Sequence, residues 1–422
     1  MSNIASENTI YDVAIIGGGP AGLMACGRAS ELGANVILLE KNPTLGVKLL
    51  ITGGGRCNVT NAQSDVRVFL KKYKDSDKYL FSAFSQFGVK ETLDFFNGNG
   101  METKVEAENR VFPVSDTAQS VWDVLVDRIK KNKVTVRTNA VVSGFEVSEG
   151  KIECVVLKNN TKVYAKKFVI ATGGTSRPET GSTGDGFTWL KDLGHNVIAS
   201  NEALVPIALK DAWVKNLSGV TLQDIKLTTF QNGVKQESHK GKLLFTHFGI
   251  SGPTILNMSK DIGELLKYGE VDILLDLLPN FDHGMMNSRL QELFKLDDKK
   301  KIKNSLGSLI PSALVDIVLE LSGIDANKTN NGVTREERLK LIGIIKGIPM
   351  SVSGLLGSDK AVVSSGGVDL NEVDFKTMQS KKIPNLYLVG DILNIDRPSG
   401  GYSLQLCWTT GYIAGESVSK QT

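Results

Sequence analysis

Cysteine and histidine are scarce in this sequence, and neither is arranged for metal binding. Each occurs four times in 422 residues, and no two cysteines form a Cys-x-x-Cys pair. This excludes a zinc ribbon and a vicinal dithiol motif, and a reducing compartment is the simplest fit. The histidines have no metal-site spacing, so we expect no metal ion. They are His195, His239, His247 and His283.

Long apolar runs and an excess of charge are also missing. No window of about 18 residues is continuously apolar, which argues against a membrane-spanning helix. The first ten residues, MSNIASENTI, lack the basic and apolar regions of a secretory signal. The formal net charge is only +3, and the lysine cluster at 299–303 directly follows two aspartates, as on a solvated surface. We therefore expect a cytoplasmic protein without a membrane or nucleic-acid partner.

Glycine, in contrast, is abundant, and its most informative positions lie in the segment YDVAIIGGGPAGL at 11–23. The apolar run at 13–16 predicts a strand that is buried on both faces of a parallel sheet. Gly17 would permit a tight turn, Gly19 a close approach to a pyrophosphate, and Gly22 close packing of the next helix. That helix, expected at 21–32, would point its free N–H groups at phosphates.

A second strand pattern at 36–40 ends in Glu40, 18 residues beyond Gly22. At about this spacing, a carboxylate accepts hydrogen bonds from ribose hydroxyls. The strand, glycine turn, helix and acidic strand end together predict a dinucleotide ligand. The alternative is a doubly wound sheet that binds no nucleotide.

Residues 1–200 are predicted to form the first part of the dinucleotide-binding domain. Beyond the glycine turn, they contain helical patterns at 69–96 and 117–130. Strand patterns follow at 134–145, 152–157, 162–166 and 168–172. Their arrangement predicts one sheet with a β-meander crossover.

The rest of the chain is predicted to contain an insertion and the end of the same domain. Residues 201–280 have strand patterns with a hairpin turn at Asn232–Gly233 and predict a β-rich substrate or cap subdomain. Residues 281–348 have amphipathic helical patterns and predict a helical subdomain. Residues 349–422, which include a strand pattern at 386–389, would complete the dinucleotide-binding domain.

Six motifs along the chain resemble one known family. They are TGGGRCNVTN (52–61), NRVFPVSD (109–116), ATGG with TGSTGDG (171–186), LLFTHFGISGP (243–253), SSGGVDL (364–370) and GGYSLQ (400–405). The family is that of the bacterial FAD-dependent oxidoreductases that include aminoacetone oxidase and a bile-acid 3-oxo-Δ4-type reductase. It lies within the superfamily of flavoproteins with two dinucleotide-binding domains. The resemblance implies an α/β fold, with a Rossmann-like FAD-binding domain, a β-meander crossover and an inserted β-rich and helical domain.

The resemblance also implies FAD as the cofactor and assigns residues to it. The glycine turn and Glu40 would hold the ADP half, and Asp391 would bind the ribityl chain or the pyrophosphate. The helix after Gly401 would point its N-terminus at the flavin. The full set of residues expected to contact FAD comprises Gly17, Gly19, Pro20, Ala21, Gly22, Glu40, Lys41, Lys48, Gly53, Gly54, Arg56, Cys57, Asn58, Thr172, Gly173, Gly174, Gly390, Asp391, Gly400, Gly401 and Tyr402.

In a flavoenzyme, the cofactor performs the redox step, and protein groups position and polarise the substrate. His247 is the first candidate for the proton donor, because histidine titrates near neutrality; a structural histidine is the alternative. Arg56 would orient the substrate or the flavin, or else tie the glycine loop to a carboxylate. Tyr402 would lie against the flavin ring or serve only packing. Cys57 is more simply a packed thiol than a redox centre.

The first functional hypothesis is hydride transfer between a small organic substrate and flavin N5. One form is a reductase of a conjugated enone that uses NAD(P)H. Since no second strand–GxGxxG–helix unit is present, NAD(P)H would have no separate domain. The alternatives are an amine oxidase of the aminoacetone type with O2 as acceptor, a flavin-dependent RNA modifier and a non-catalytic flavin-binding module. The sequence leaves the substrate and the oligomeric state open.

Overall fold

The structure is a computed structural model that describes residues 9–198, 202–203, 205–356, 363–364 and 366–420. The chain divides into two compact units. Unit 1 combines Met1–Asn201 with Val362–Thr422, and unit 2 is Glu202–Ala361. The domain boundary that the sequence predicts at 200/201 lies outside the described residues, as does one residue of the SSGGVDL motif.

The helices and strands of both units are numbered along the chain. The helices are α1 (Pro20–Glu31), α2 (Val47–Leu50), α3 (Val66–Leu70), α4 (Asp77–Gln86), α5 (Val89–Gly98), α6 (Ala118–Lys131), α7 (Asp185–Asp192), α8 (Pro253–Leu266), α9 (His283–Leu296), α10 (Ile302–Leu306), α11 (Ser312–Ser322), α12 (Arg335–Ile345) and α13 (Tyr402–Ser419). The strands are β1 (Ile10–Ile16), β2 (Val36–Leu39), β3 (Thr60–Asn61), β4 (Thr103–Glu106), β5 (Arg110–Pro113), β6 (Thr135–Arg137), β7 (Val142–Ser148), β8 (Lys151–Leu157), β9 (Lys162–Ile170), β10 (Val197–Ile198), β11 (Glu202–Ala203), β12 (Ile207–Leu209), β13 (Thr221–Gln231), β14 (Val234–Thr246), β15 (Gly249–Ser251), β16 (Val271–Asp276), β17 (Ile348–Leu355), β18 (Val363–Ser364), β19 (Gly367–Val368), β20 (Val373–Asp374), β21 (Gln379–Ser380) and β22 (Leu386–Leu388).

Unit 1 is built on a sheet whose central strands are parallel. Their order is β22-β9-β1-β2-β6, and β20 and β21 extend the β22 edge in antiparallel orientation. All four residues of β2 and the last four of β1 are buried, as expected of strands covered on both faces. The carboxyl ends of these parallel strands meet at one edge, where doubly wound folds bind their ligands.

The β-meander crossover of unit 1 consists of β7, β8 and β9. β7 pairs with β8 and β8 with β9, both in antiparallel orientation. The sequence predicts two strands, at 162–166 and 168–172, but the structure has one continuous strand, β9. Pairing explains the difference, because β9 contacts β8 at its start and runs parallel to β1 from Tyr164 to Ile170.

Small residues let helices α1 and α13 pack closely in unit 1. A Cβ on Gly411 would lie 2.4 Å from the Ala21 carbonyl oxygen, and one on Gly415 would lie 2.6 Å from that of Ala25. Each distance is too short for a side chain, so this helix pair needs glycine at both crossing points.

The helical pattern predicted at 69–96 forms three helices, α3, α4 and α5. Lys74, with a φ of 51°, interrupts the helical backbone conformation between α3 and α4. Gly88 precedes α5, and its N–H donates to the Glu91 carboxylate, which gives the helix a separate N-terminal cap. Apolar periodicity indicates the helical content here, but not these local breaks.

Unit 2 contains a closed barrel and a helical part around a core of their own. The barrel order is β12-β15-β14-β13-β16-β17, with β17 paired to β12. The predicted hairpin turn at Asn232–Gly233 joins β13 to β14. β17 belongs to the barrel, so unit 2 continues past residue 348, the predicted end of the insertion. No helix in the described part of the chain has the length and apolar character needed to cross a membrane.

Candidate functional site

The glycine turn after β1 has the close contacts that its residues require. Gly17 has a φ of 106°, and a Cβ there would lie 2.5 Å from the Ala171 carbonyl oxygen. A Cβ on Gly22 would lie 1.9 Å from the Gly17 carbonyl oxygen. At Gly19, in contrast, no described atom lies within 4 Å of the Cβ position. Gly17 and Gly22 therefore serve the fold, whereas the space at Gly19 is open to a ligand.

Glu40 lies directly after β2 and next to this turn. Its side chain is buried, and its carboxylate accepts hydrogen bonds from the backbone N–H of Gly18 at 2.7 Å and of Asn42 at 2.8 Å. A carboxylate offers about four acceptor positions, so the two bonds fix Glu40 without using its full capacity for ribose hydroxyls.

The glycine loop, residues 52–58, is held in a backbone conformation that favours glycine. Gly53, Gly54 and Gly55 have φ values of 56°, 68° and 85°. No described atom lies within 4 Å of the Cβ positions of Gly54 and Gly55. The loop leads into β3, against which the start of α13 packs, since a Cβ on Gly401 would lie 2.3 Å from the Thr60 carbonyl carbon.

Two buried side-chain oxygens at the predicted cofactor positions have no hydrogen-bond partner among the described residues. They are Oδ1 of Asn58, in the glycine loop, and Oγ1 of Thr172, just beyond β9. Buried polar atoms are almost always bonded, so such atoms call for a ligand or a water. These two oxygens and the open space at Gly19 are features that fit a bound dinucleotide.

Gly390 and Asp391 follow β22 and complete this edge of the sheet. Gly390 has a φ of 72°, and a Cβ there would lie 3.0 Å from Cβ of Ala21, in the first turn of α1. Asp391 forms an ion pair with Arg397, and its Oδ2 lies 3.8 Å from Nζ of Lys48. The Gly390–Asp391 segment is thus held next to the first turn of α1.

Two predicted cofactor lysines contact the loop between β9 and α7 or the first residue of α7. Lys41 Nζ lies 2.6 Å from Thr183 Oγ1 and 2.9 Å from Asp185 Oδ2. Lys48 Nζ donates to Ser176 Oγ at 2.6 Å, and burial lowers the pKa of Lys48. Both ammonium groups therefore already have protein partners at the carboxyl edge of the sheet.

Arg56 ties the glycine loop to two carboxylates, which is the second of its two predicted roles. Its guanidinium forms ion pairs with Glu106 and Asp116 and stacks on the Phe112 ring, 4.2 Å from the centroid. The hydrogen bond from Arg56 lowers the pKa of Glu106. These contacts hold the glycine loop to β4 and β5, while a direct role of Arg56 with substrate or flavin stays a prediction.

Cys57 and Tyr402 are both packed into unit 1. Burial raises the pKa of the Cys57 thiol to about 12, so the thiol is neutral near pH 7. The Tyr402 ring lies 4.8 Å from that of Phe69, and the Tyr402 carbonyl accepts a hydrogen bond from Tyr73 Oη at 2.8 Å. These contacts match the packing alternative for both residues, and the catalytic role of Tyr402 stays a prediction.

His247 lies in unit 2, whereas the other predicted site residues lie in unit 1. It occupies the turn between β14 and β15, its side chain is exposed, and its ring meets that of Phe248 edge-on at 4.9 Å. The neighbouring Thr246 has a buried Oγ1 without a partner in the described part of the chain. The catalytic role of His247 stays a prediction.

Three residues at the candidate site are not assigned a role by the sequence motifs. Ser176 binds Lys48, Arg397 pairs with Asp391, and Ser403 accepts a hydrogen bond from Arg397. The partners of these residues lie 6 or 128 positions away in the chain. The sequence offers one signal, because Arg397 and Ser403 flank the Gly400–Gly401 pair that it associates with the flavin.

These features define a Rossmann-type dinucleotide-binding protein, and its predicted site comprises the glycine turn, the glycine loop and the Gly-Asp strand end. The chain belongs to the HI0933-like family, since the model of the HI0933-like protein Rossmann domain matches residues 11–417. It is an FAD-dependent oxidoreductase.

Curated relatives match almost the whole chain, and a solved structure shares its fold. The chain is 29% identical to the 3-dehydro-bile acid delta(4,6)-reductase of Clostridium scindens, over 97% of this chain and 99% of the relative. It is also 29% identical to the ribosomal RNA dihydrouridine synthase of Escherichia coli, over 97% and 98%. A 3-ketosteroid-Δ4-(5α)-dehydrogenase from Rhodococcus jostii shares the fold with a TM-score of 0.55, at 14% identity and 99% coverage of both chains.

Proposed function

We propose that this protein reduces a carbon–carbon double bond that is conjugated to a carbonyl group. The observation that carries the proposal is that two relatives, equally similar over almost their whole length, have names that share this chemistry. The bile-acid reductase is named for double bonds conjugated to a 3-oxo group. Dihydrouridine forms when the uracil C5=C6 bond, which is conjugated to C4=O, is saturated.

The reaction adds a hydride to the β-carbon and a proton to the α-carbon of the conjugated system. Bound FAD, once reduced, supplies the hydride at N5. The chain must hold the cofactor, polarise the carbonyl and deliver the proton. Binding of the cofactor is the proposed role of Glu40, Asn58 and Thr172, because of their position and hydrogen-bonding capacity. His247 is the proposed proton donor, because it is an exposed imidazole in a glycine-flanked turn.

The electron donor and the direction of electron flow are tested together in an anaerobic experiment on the FAD-loaded protein. NADH, NADPH and aminoacetone are added separately, and the flavin absorbance bands are followed. The proposal predicts bleaching by NADH or NADPH and none by aminoacetone. Bleaching by aminoacetone alone, with recovery of the bands only on admission of O2, would instead establish the amine oxidase.

The substrate class is tested by a single turnover of the reduced protein. The reduced protein is mixed without oxygen with a 3-oxo-4-ene steroid or with its saturated 3-oxo counterpart. Recovery of the flavin bands with the enone, but not with the saturated ketone, is the expected result. Equal rates with both compounds would show that the conjugated double bond is not the acceptor.

Uridine in RNA is a second candidate substrate, since the Escherichia coli relative is named as a ribosomal RNA dihydrouridine synthase. The small net charge of +3 offers little general attraction to a polyanion, which is why the sequence predicts no nucleic-acid partner. Unmodified ribosomal RNA is incubated with the reduced protein and analysed for dihydrouridine by mass spectrometry. The result decides between uridine in RNA and a steroid-like enone as the substrate. Dihydrouridine at one defined position would favour the RNA substrate over the steroid-like enone.

A further inference from the structure

Lys48, Asp391 and Arg397 form a cluster of charged side chains, here called the Asp391 cluster. Arg397 pairs with Asp391 and donates from Nη1 to the Ile395 carbonyl at 2.7 Å and from Nε to Ser403 Oγ at 3.1 Å. The Arg397 side chain is 0% exposed, and that of Asp391 is 15% exposed. A fully buried guanidinium with these bonds has one orientation only.

The Asp391 cluster contains two cations around one carboxylate. Lys48 Nζ lies 3.8 Å from Asp391 Oδ2, on the oxygen that Arg397 does not use. Burial lowers the pKa of Lys48, Asp391 opposes this shift, and the charge of Arg397 adds to it. The two cations therefore repel each other across a shared carboxylate. Excess positive charge in a buried place is costly unless an anion lies nearby.

The cluster lies where the predicted cofactor-binding elements of unit 1 meet. Gly390, next to Asp391, contacts Ala21 in the first turn of α1. Ser403, which binds Arg397, is in the first turn of α13, and that helix start packs against β3 just beyond the glycine loop. The excess positive charge is thus placed between the phosphate-binding turn and the glycine loop.

We propose that the Asp391 cluster raises the reduction potential of bound FAD. Uptake of two electrons and one proton gives the anionic flavin hydroquinone, which carries one more negative charge than the oxidised ring. A fixed positive charge nearby stabilises the anionic form over the oxidised form, and charge near the ring is a recognised means of tuning a flavin. Arg397 is a positioning residue that acts through its charge. The inference requires only bound FAD and does not depend on the substrate.

The test compares Arg397→Met with Arg397→Lys in the FAD-loaded protein. The ratio of reduced to oxidised flavin is measured against a redox dye during slow reduction by dithionite. Arg397→Met is expected to lower this ratio about tenfold at a given potential, which is about 30 mV for a two-electron couple. It should weaken the flavin–sulfite adduct by a similar factor. Arg397→Lys should stay within about threefold of wild type on both measures, because the charge is kept.

Arg28→Met is the control for loss of an ion-paired arginine elsewhere in unit 1, although its side chain is 23% exposed. Arg28 lies in the last turn of α1, on the order of 12 Å along the helix from Pro20, and it pairs with Glu416 and Glu31. Its removal should leave the potential unchanged. An unchanged potential in Arg397→Met, or an equal shift in Arg28→Met, overturns the proposal.

Lys48→Met provides a second, independent variant of the cluster. It should shift the potential and the sulfite affinity in the same direction as Arg397→Met. The proposal therefore remains testable if one of the two variants does not fold. If both fold but lose FAD, the cluster serves cofactor binding rather than its potential, and the proposal is wrong.

Discussion

Individual residues at the site differ in whether their polar atoms are already satisfied. Arg56, Lys41 and Lys48 have protein partners, whereas Asn58 Oδ1 and Thr172 Oγ1 are buried without one among the described residues. A satisfied group stabilises the fold without a ligand. An unsatisfied buried group costs free energy until a ligand or a water binds it. This difference allows the two roles to be separated by substitution.

Thr172→Val is expected to weaken FAD binding without destabilising the protein that lacks FAD. The substitution removes an unpartnered hydroxyl, so the apoprotein should keep or slightly raise its free energy of unfolding. FAD affinity should fall by roughly tenfold, about 1.4 kcal/mol. Fluorescence titration with FAD and urea unfolding of the apoprotein measure the two quantities.

Thr92→Val is the matched control, because its hydroxyl is buried and bonded to the Gly88 carbonyl at 2.9 Å and to Gln405 Nε2 at 2.8 Å. It should cost about 1–3 kcal/mol of stability and leave the affinity of the folded protein for FAD unchanged. The opposite pattern in the two variants would contradict the assignment of Thr172 to the cofactor.

The four cysteines should be unreactive in the folded protein. All are buried, and burial raises the pKa of each thiol, to about 12 for Cys57 and Cys407 and to about 11 for Cys154. Because the thiolate is the nucleophile, alkylation at pH 8 should be slow and should accelerate as the pH rises toward these values. A thiol reagent should detect four thiols after unfolding and none rapidly before it. One fast native thiol at Cys57 would support the redox role instead.

Among the helices and strands, those that the sequence predicts correctly are specified by residues close together in the chain. Strand β1, the glycine turn and helix α1 are specified by neighbouring residues, and the structure confirms them. Helix α8 is not predicted, because residues 201–280 are assigned strand patterns only. Its signals are Pro253 at the first position and the buried residues Ile255, Met258 and Ile262 at helical spacing. β17 has alternating buried residues, but its place in the barrel depends on β12 and β16, far away in the chain.

The site shows the same limit. The tight turn at Gly17, the close packing at Gly22 and the position of Glu40 next to the turn can be predicted from local sequence, while their contacts with FAD stay a prediction. The pairing of Arg56 with Glu106 and Asp116 cannot be predicted, because it depends on how the glycine loop packs against β4 and β5. The contacts of Arg397 likewise depend on the path of the chain between β22 and α13.

The start of helix α1 contains a glycine that the fold requires and, three residues before it, one that is predicted to serve the ligand. Gly22→Ala places a Cβ within 1.9 Å of the Gly17 carbonyl oxygen, so it should destabilise the apoprotein by about 1–3 kcal/mol or more. Gly19→Ala meets no described atom within 4 Å. It should keep the fold and weaken FAD binding at least roughly tenfold. Urea unfolding and FAD titration check both variants.

Gly343→Ala supplies the control for a glycine within a helix. It lies inside α12 of unit 2, and its Cβ position is open. The substitution should leave FAD binding unchanged and stabilise the protein by up to about 1 kcal/mol. Equal FAD affinity in Gly19→Ala and Gly343→Ala would contradict a pyrophosphate site at the turn.

The whole molecule combines two units with separate hydrophobic cores, and the elements predicted to bind the cofactor belong to unit 1. A ligand that binds only the folded state stabilises it by mass action. FAD at a hundredfold excess over its Kd should therefore add about 2.7 kcal/mol to the free energy of unfolding. Thermal unfolding with and without FAD measures the gain. FMN, which lacks the ADP half, should give a smaller gain at the same concentration, and an equal gain would contradict a site that holds the ADP half.

The most direct test of the account is the visible absorption spectrum of the purified protein, followed by release and quantification of its flavin. The glycine turn, Glu40, the glycine loop and Asp391 predict the bands of oxidised flavin, with one FAD per chain after saturation. A colourless protein that does not bind added FAD would contradict the account.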